Sequence, residues 1–202
     1  GTWDIELVNI TESDIVKFNG RTLKTDKKRY LLLNKPRNYS CRLDDFGKKD
    51  SVFELIKGSC KEKILPIGKL NKNHSGLLIF TNDEKMSAKL SHPKHEVKKI
   101  YHISLSNPLK SLDFKKMKDG LIIDGEKIVL DSISYVQDKE KTEIGIETKS
   151  NKRNLIIKML DSLDYHVIRL DLVFYGGLTK KEISRKKYRF LSDEEINLLK
   201  RI

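Results

Sequence analysis

Apolar runs and alternating stretches along the chain predict a sheet whose strands are separated by turns and helices. Residues 30–34 and 77–80 are short, mostly apolar runs of the kind that buried strands have. Residues 99–105 alternate between apolar and polar side chains, as a half-buried strand does, with Tyr101 pointing opposite to Ile100. A longer strand is predicted at 167–175, where it meets two glycines.

Helix signals fall between these strands. Apolar spacing or a helix-start pattern marks four segments: about 82–90, 109–119, 155–163 and 193–202. Thr81 with Glu84, and Ser192 with Glu195, have the spacing of capping boxes. Asp124-Gly125 predicts a hairpin, with further strands around 129–136 and 143–147. We find no internal repeat, so the sequence predicts an α+β class.

The chain divides into a short first piece and one main domain. Residues 1–27 form a short β-rich piece that ends in a charged link, and the main domain is predicted over 28–202. Within that domain, a polar turn-like loop over 66–76 directly precedes the buried run at 77–80. A polar loop is therefore held against a buried strand.

Composition adds a partner class. The 202 residues include 41 Lys plus Arg against 29 Asp plus Glu, giving a net charge of +12 that favours a polyanion such as nucleic acid, although charge alone also serves solubility. No apolar run approaches the ~20 residues that span a bilayer, and no signal peptide is visible, so a cytoplasmic location is expected. Cys41 and Cys60 predict neither a disulfide nor a zinc site, and His92 with His95 lack a third metal ligand.

The loop before the buried strand carries a specific motif. It reads Gly68-Lys69-Leu70-Asn71, three residues, and then Ser75-Gly76-Leu77-Leu78-Ile79-Phe80-Thr81-Asn82-Asp83. This resembles the signature of the RsuA/RluB-type ribosomal RNA pseudouridine synthase family: Gly-Arg-Leu-Asp, three residues, Thr-Gly-Leu-Leu-Leu-Leu-Thr-Asn-Asp. Further pieces agree in order: 33–36, 92–94, 99–101, 120–125 and 178–191. The resemblance covers about residues 14–202.

The resemblance implies a fold and a domain arrangement. The expected fold is α+β, the pseudouridine synthase fold, with a largely antiparallel mixed sheet flanked by helices. In that family an S4 RNA-binding module precedes the synthase domain, and residues 14–24 look like its final strand and turn. Residues 1–27 are therefore expected to be the remnant of an S4-like module, whether trimmed or naturally shortened, and 28–202 the synthase-like domain.

The resemblance also implies a chemistry. The family takes a uridine out of the RNA stack, detaches its base and rejoins it through C5, without a cofactor or metal. An Asp is essential, a Tyr stacks on the uracil, and a basic side chain pairs with the Asp. Tyr101 matches the Tyr, but Asn71 stands where the Asp belongs, Lys69 replaces the signature Arg, and Ile157 falls where the basic partner is expected.

A carboxamide at position 71 can neither hold the negative charge nor act as a general base, so catalysis is expected to be impaired. The sequence therefore predicts a protein that binds ribosomal RNA in ribosome assembly or as a ribosome-associated factor, as a monomer. Three alternatives stay open: an active synthase that uses another carboxylate, with Asp83 nearest in sequence; an engineered trapping mutant; and a basic domain that binds a protein.

RNA-contact candidates lie mainly near the C-terminus. A basic run, with Tyr188 inside it, suits phosphate contacts, although a solvated tail would look similar: Lys180, Lys181, Arg185, Lys186, Lys187 and Arg189. Lys35, Lys94 and Lys99 are weaker candidates. His74 stands in the loop beside Asn71 and is assigned no role.

Overall fold

The structure, a computed structural model, describes residues 16–18, 21–23, 26–151 and 153–202. Its strands are β1 Val16–Phe18, β2 Arg21–Leu23, β3 Tyr30–Lys35, β4 Leu65–Ile67, β5 Ser75–Thr81, β6 Lys99–Leu105, β7 Leu121–Ile123, β8 Glu126–Ile128, β9 Ser132–Tyr135, β10 Glu143–Thr148, β11 Val167–Tyr175, β12 Leu178–Thr179 and β13 Tyr188–Phe190. Its helices are α1 Val52–Leu55, α2 Glu84–Ser91, α3 Ser111–Asp119, α4 Arg153–Ser162 and α5 Asp193–Lys200, with a 3-10 turn at Leu43–Asp45.

One mixed sheet of nine strands organises the main domain. Its order is β13-β3-β5-β11-β6-β10-β9, with β4 beside β5 and β12 beside β11. β5 and β11 run parallel, and the other neighbouring strands of this sheet run antiparallel. The α+β class and the largely antiparallel sheet predicted from the sequence are confirmed. Within the described residues, no helix combines the length and the apolar character needed to cross a membrane.

The central strands are buried because their side chains are apolar on both faces. Every residue of β3 and β5 is buried, and Leu31, Leu32, Leu33 and Phe80 are fully so. Each such side chain contributes roughly 1.5–3 kcal/mol when it leaves water. β6 instead alternates, with Lys99, Tyr101, Ile103 and Leu105 buried and the residues between them partly exposed. This alternation places Lys99 and Tyr101 on one inward face, opposite to Ile100 as predicted.

Gly76 permits the parallel pairing at the centre of the sheet. Its φ of +121° lies where side-chain-bearing residues are strained, and a Cβ there would lie 2.3 Å from the carbonyl oxygen of Leu172. Only a glycine lets β5 approach β11 this closely. The loop that precedes β5 is consequently held beside the middle of β11.

Local helix and turn signals were mostly correct. The hairpin at Asp124-Gly125 joins β7 to β8, and Ser192 with Glu195 forms the predicted capping box of α5. The capping box predicted for Thr81 and Glu84 is wrong. Asp83 is the N-cap of α2 and accepts a hydrogen bond from the backbone N–H of Met86. The hydroxyl of Thr81 binds backbone groups outside the helix instead.

Of the first piece, the structure describes an antiparallel pair of strands. β1 and β2 are in register from Val16 with Leu23 to Phe18 with Arg21. Most of residues 1–27, over which the S4-like remnant is predicted, lie outside the described residues. That assignment, and with it the boundary at residue 28, stays a prediction.

Candidate active site

A buried lysine holds the loop that carries Asn71. Lys35 ends β3 and is fully buried. Its ammonium donates to the carbonyl oxygens of Pro36, Asn71, Lys72 and His74, at 3.1, 3.2, 3.3 and 2.6 Å. Burial lowers the pKa of Lys35 to about 8. The RNA contact expected for Lys35 is contradicted, because its ammonium is enclosed beneath the loop and bound to backbone carbonyls.

Arg153 occupies the place beside residue 71. From the start of α4, its Nη2 donates to Oδ1 of Asn71 at 2.9 Å, and its Nη1 donates to the carbonyl oxygen of Lys69. Its guanidinium also lies near enough to the Tyr101 hydroxyl to oppose the effect of burial on the pKa of that hydroxyl. Ile157 packs against the core, as an apolar residue should. A cation nevertheless lies beside residue 71, because Arg153 supplies it. The expectation that the site has lost its basic partner is therefore wrong.

The sequence contained a signal for Arg153. It precedes Ile157 by four residues, and positions four apart lie on the same face of a helix. A long side chain one turn earlier can thus reach the same place. A motif compared position by position does not show this exchange.

A cavity of about 200 Å³ opens beside Arg153. Tyr101 and Lys99 of β6 line it together with Leu172 and Tyr175 of β11. Lys99 is buried, and its ammonium donates to the carbonyl oxygens of Val97 and Ser150 at 3.0 and 3.5 Å. Burial lowers the pKa of Lys99 to about 8. The cavity thus has an aromatic and apolar wall, with Arg153 and Lys99 as charged groups.

The two tyrosines of this cavity are held neutral. Burial raises the pKa of the Tyr101 hydroxyl, and the nearby guanidinium of Arg153 opposes part of that rise. Burial, and then the neighbouring Tyr101, raise the pKa of Tyr175 to about 12. Tyr101 therefore presents a neutral phenol to the cavity, and its stacking on a uracil stays a prediction.

His74 closes the loop as a buried, neutral imidazole. Burial is the largest cause, and the charges of Arg153, Lys35 and Arg37 add to it, so that the pKa of His74 falls to about 4. Its Nδ1 is buried without a hydrogen-bond partner in the described part of the chain. Protonation of His74 would therefore place a charge inside the protein and destabilise the loop.

We expect His74 to make the protein sensitive to acid. The unfolded chain binds this proton near pH 6.5 and the folded chain only near pH 4. Between these values the unfolded state carries more protons, so the free energy of unfolding falls by roughly 2–3 kcal/mol as pH drops from 6.5 to 4. Chemical denaturation across this pH range should show a smaller fall for His74→Gln. His92→Gln, in an exposed loop, is the matched control; equal falls in all three proteins would contradict the prediction.

Asp83 lies too far from Asn71 to serve as a carboxylate there. It follows the far end of β5, whereas Asn71 precedes the near end, and the seven residues of that strand span roughly 20 Å. Its carboxylate accepts from the Tyr30 hydroxyl at 2.5 Å and from the N–H of Met86. Asp83 therefore has a structural role, and the alternative that it rescues catalysis is contradicted.

Comparison with known proteins identifies the family. A family model described as RNA pseudouridylate synthase matches residues 29–173. The chain belongs to this family. An RNA pseudouridine synthase of Aquifex aeolicus (strain VF5), itself uncharacterized, is 30% identical over 190 residues, which are 92% of this chain and 75% of that protein. Ribosomal large subunit pseudouridine synthase B of Bacillus subtilis (strain 168) is 29% identical over 198 residues, 96% of this chain and 80% of that protein.

A solved structure agrees on the fold. The crystal structure of a pseudouridylate synthase superimposes with a TM-score of 0.74 at 22% sequence identity, covering 95% of this chain and 83% of the other. The pseudouridine synthase fold expected from the sequence is confirmed. In this synthase-family fold, Arg153 hydrogen-bonds Asn71 and lies near Tyr101. Lys69 accepts a further hydrogen bond from Arg153 through its carbonyl oxygen and lines the cavity.

Several of the predicted RNA-contact residues of this family member are engaged within the protein. Lys180 and Arg185 both bind the carboxylate of Asp171, at 2.5 and 3.2 Å. Arg189 donates two hydrogen bonds to Glu195, at 2.6 and 2.9 Å. Because these carboxylates already pair with them, the three cations carry less free charge than the sequence suggested. Lys99 is buried in the cavity, where it meets a nucleotide only if one enters.

Four of the predicted lysines are exposed: Lys94, Lys181, Lys186 and Lys187. The ammonium of Lys186 lies 5.5 Å from the centre of the Tyr39 ring. Arg37 is also exposed, and its Nε donates to the carbonyl oxygen of Asn73 in the loop at 3.3 Å. Arg37 and Tyr39 were missed because they are separated in sequence from the C-terminal basic run. The fold brings them to the outer side of the Asn71 loop.

Proposed function

We propose that this chain binds ribosomal RNA and holds an unpaired uridine in the Tyr101 cavity, but is catalytically impaired as a pseudouridine synthase. The hydrogen bond from Arg153 to the Oδ1 of Asn71 carries the proposal. It puts a neutral carboxamide where the resemblance places the catalytic carboxylate. A member of this family that keeps the uridine cavity but lacks the catalytic carboxylate would act by binding RNA, in ribosome assembly or on the ribosome.

The exchange of acid for amide is sufficient to suppress turnover. A carboxamide has no accessible proton-accepting state near neutral pH and is a poor nucleophile, so it replaces neither role of the carboxylate. Loss of a catalytic group that acts as a unit with others costs roughly 10⁴ to 10⁶ in rate. No described carboxylate lines the cavity to take over.

The relatives and the charge support RNA as the partner. The similar proteins are named for the small and large ribosomal subunits, and this chain carries a net charge of +12. Contacts of lysine with phosphates supply most of the sequence-independent affinity for RNA. Lys181, Lys186 and Lys187 lie on the segment before β13 and are exposed. We assign them to the phosphate contacts.

Mapping pseudouridines tests the catalytic part. The purified chain is incubated with unmodified small- and large-subunit ribosomal RNA, and pseudouridines are detected as carbodiimide-dependent stops of reverse transcription. The Bacillus subtilis large subunit synthase serves as positive control. We expect no new stop from this chain under conditions in which the control enzyme reacts fully. A new stop from the unmodified chain would mean that it is an active synthase and would overturn the proposal.

Salt dependence tests the binding part. Changing Lys181, Lys186 and Lys187 together to Gln should weaken RNA binding and reduce the slope of log affinity against log salt by about 2–3, since each phosphate contact contributes about 0.7–0.9. Fluorescence anisotropy with a ribosomal RNA fragment measures both quantities. The control is the exposed set Lys115 and Lys118 of α3 with Lys127 of β8, changed to Gln. Weak binding of the unmodified chain with a shallow slope would favour a protein partner instead.

A further inference from the structure

The charges around the cavity are unbalanced. The described lining residues include three cationic side chains, Lys69, Lys99 and Arg153, and neither an Asp nor a Glu. Lys99 and Arg153 make no ion pair with any carboxylate that the structure describes, and Lys35 adds a fourth positive charge behind the loop. Partly buried cations without an anion are costly, and a bound anion would relieve that cost.

An Asn at position 71 can donate hydrogen bonds to a ligand, whereas an Asp carboxylate could only accept them. Its Oδ1 is occupied by Arg153, so the amide NH₂ group is the part that it can offer to a ligand. An Asp would instead present a second carboxylate oxygen, a negative acceptor that repels anions. Arg153 also keeps donor capacity, because each of its Nη atoms carries two N–H groups and these atoms bind Lys69 and Asn71 through one N–H each.

We propose that this cavity is a receptor for the phosphate group of a uridine nucleotide, so that the ligand is recognised through its charge as well as its base. The inference rests on the proposed function, because the uracil is taken to bind beside Tyr101. Donors from Arg153 and the Asn71 amide meet phosphate oxygens, and Lys69 at the cavity supplies further positive charge. The exchange of Asp for Asn is then a change of ligand as well as a loss of chemistry.

The proposal is tested by calorimetric titration of the purified protein with uridine, uridine 5′-monophosphate, the dinucleotide UpU and inorganic phosphate. We expect uridine 5′-monophosphate or UpU to bind about tenfold or more tightly than uridine, the gain of at least one charge-assisted hydrogen bond. If only the monophosphate binds more tightly than uridine, the cavity takes a terminal or free phosphate. If UpU also binds more tightly than uridine, the cavity takes a phosphate within an RNA strand. Equal binding of all three uridine compounds overturns the proposal.

Two variants separate the cavity from general charge. Asn71→Asp and Arg153→Gln should each abolish the preference for the phosphorylated compounds while uridine binding persists. Lys158→Gln, which lies on α4 and pairs with Asp124, should leave the preference unchanged. If Asn71→Asp retains the full preference, the anion does not bind here and the inference is wrong. These titrations use no ribosomal RNA, so they can fail while the salt-dependent RNA binding of the proposed function holds, and the reverse.

Discussion

Asn71→Asp is expected to raise pseudouridine formation on ribosomal RNA by about 10³-fold or more over the unmodified chain. The new carboxylate would replace an amide that already accepts a hydrogen bond from Arg153, so the guanidinium would pair with it and hold its pKa low. Tyr101 lines the same cavity as this guanidinium. The measurement is the initial rate of carbodiimide-detected pseudouridine at the uridine that reacts best.

Three variants define how this gain arises. Asn71→Ser removes the amide without adding a carboxylate and should stay silent. Arg153→Gln in the Asn71→Asp background should remove most of the regained rate, because the carboxylate would lose its cation. Adding Ile157→Arg to the double variant tests whether a cation from one turn later can take over. If Asn71→Asp alone remains silent, Arg153 does not complete the site, and the pocket has drifted beyond residue 71.

The strands at the centre of the sheet were predictable because their signals are local and strong. Residues 30–34 and 77–80 are apolar on both faces, and such runs have few folded environments other than a covered strand. The N-cap of α2 was predicted at the wrong residue, because local signals alone do not separate two neighbouring capping residues. Thr81 and Asp83 are both capping residues near one helix start, and the spacing to Glu84 favoured the wrong one. Only the course of the preceding strand decides between them.

The sequence motif pointed to single residues of the site. It did not predict contacts between side chains that lie far apart in the chain. Asn71 binds Arg153 and Tyr101 lines the cavity beside it, while their parts in catalysis and uracil stacking stay predictions. Lys35 was read as a surface cation, since nothing local shows that the loop after Leu70 folds over the end of β3. Asp171 neutralises Lys180 and Arg185. No sequence pattern links Asp171 to either of these residues. Such ion pairs depend on where the segment between β12 and β13 lies on β11, which only the fold determines.

Lys35→Met is expected to lower the free energy of unfolding by about 3–5 kcal/mol, the cost of leaving several buried polar groups without their donor. The methionine fills the same space but cannot donate to the carbonyl oxygens of Pro36, Asn71, Lys72 and His74. The melting temperature should fall by roughly 6–20 °C for a chain of this length. Denaturant and thermal unfolding measure both.

The matched control is Lys187→Met, which removes the same charge from an exposed position and should change the free energy of unfolding by less than about 0.5 kcal/mol. Hydrogen exchange locates the effect, because the amide of His74 donates to Asn71 and the amide of Asn38 donates to Lys72. Both amides should lose protection in Lys35→Met, while those within β6 and β10 keep theirs. Combined with Asn71→Asp, Lys35→Met should also cancel the regained turnover, since a carboxylate on a loosened loop no longer meets Arg153 and Tyr101. Equal stability of the two Met variants would mean that the loop holds itself through its own backbone bonds, and that Lys35 is buried without supporting it.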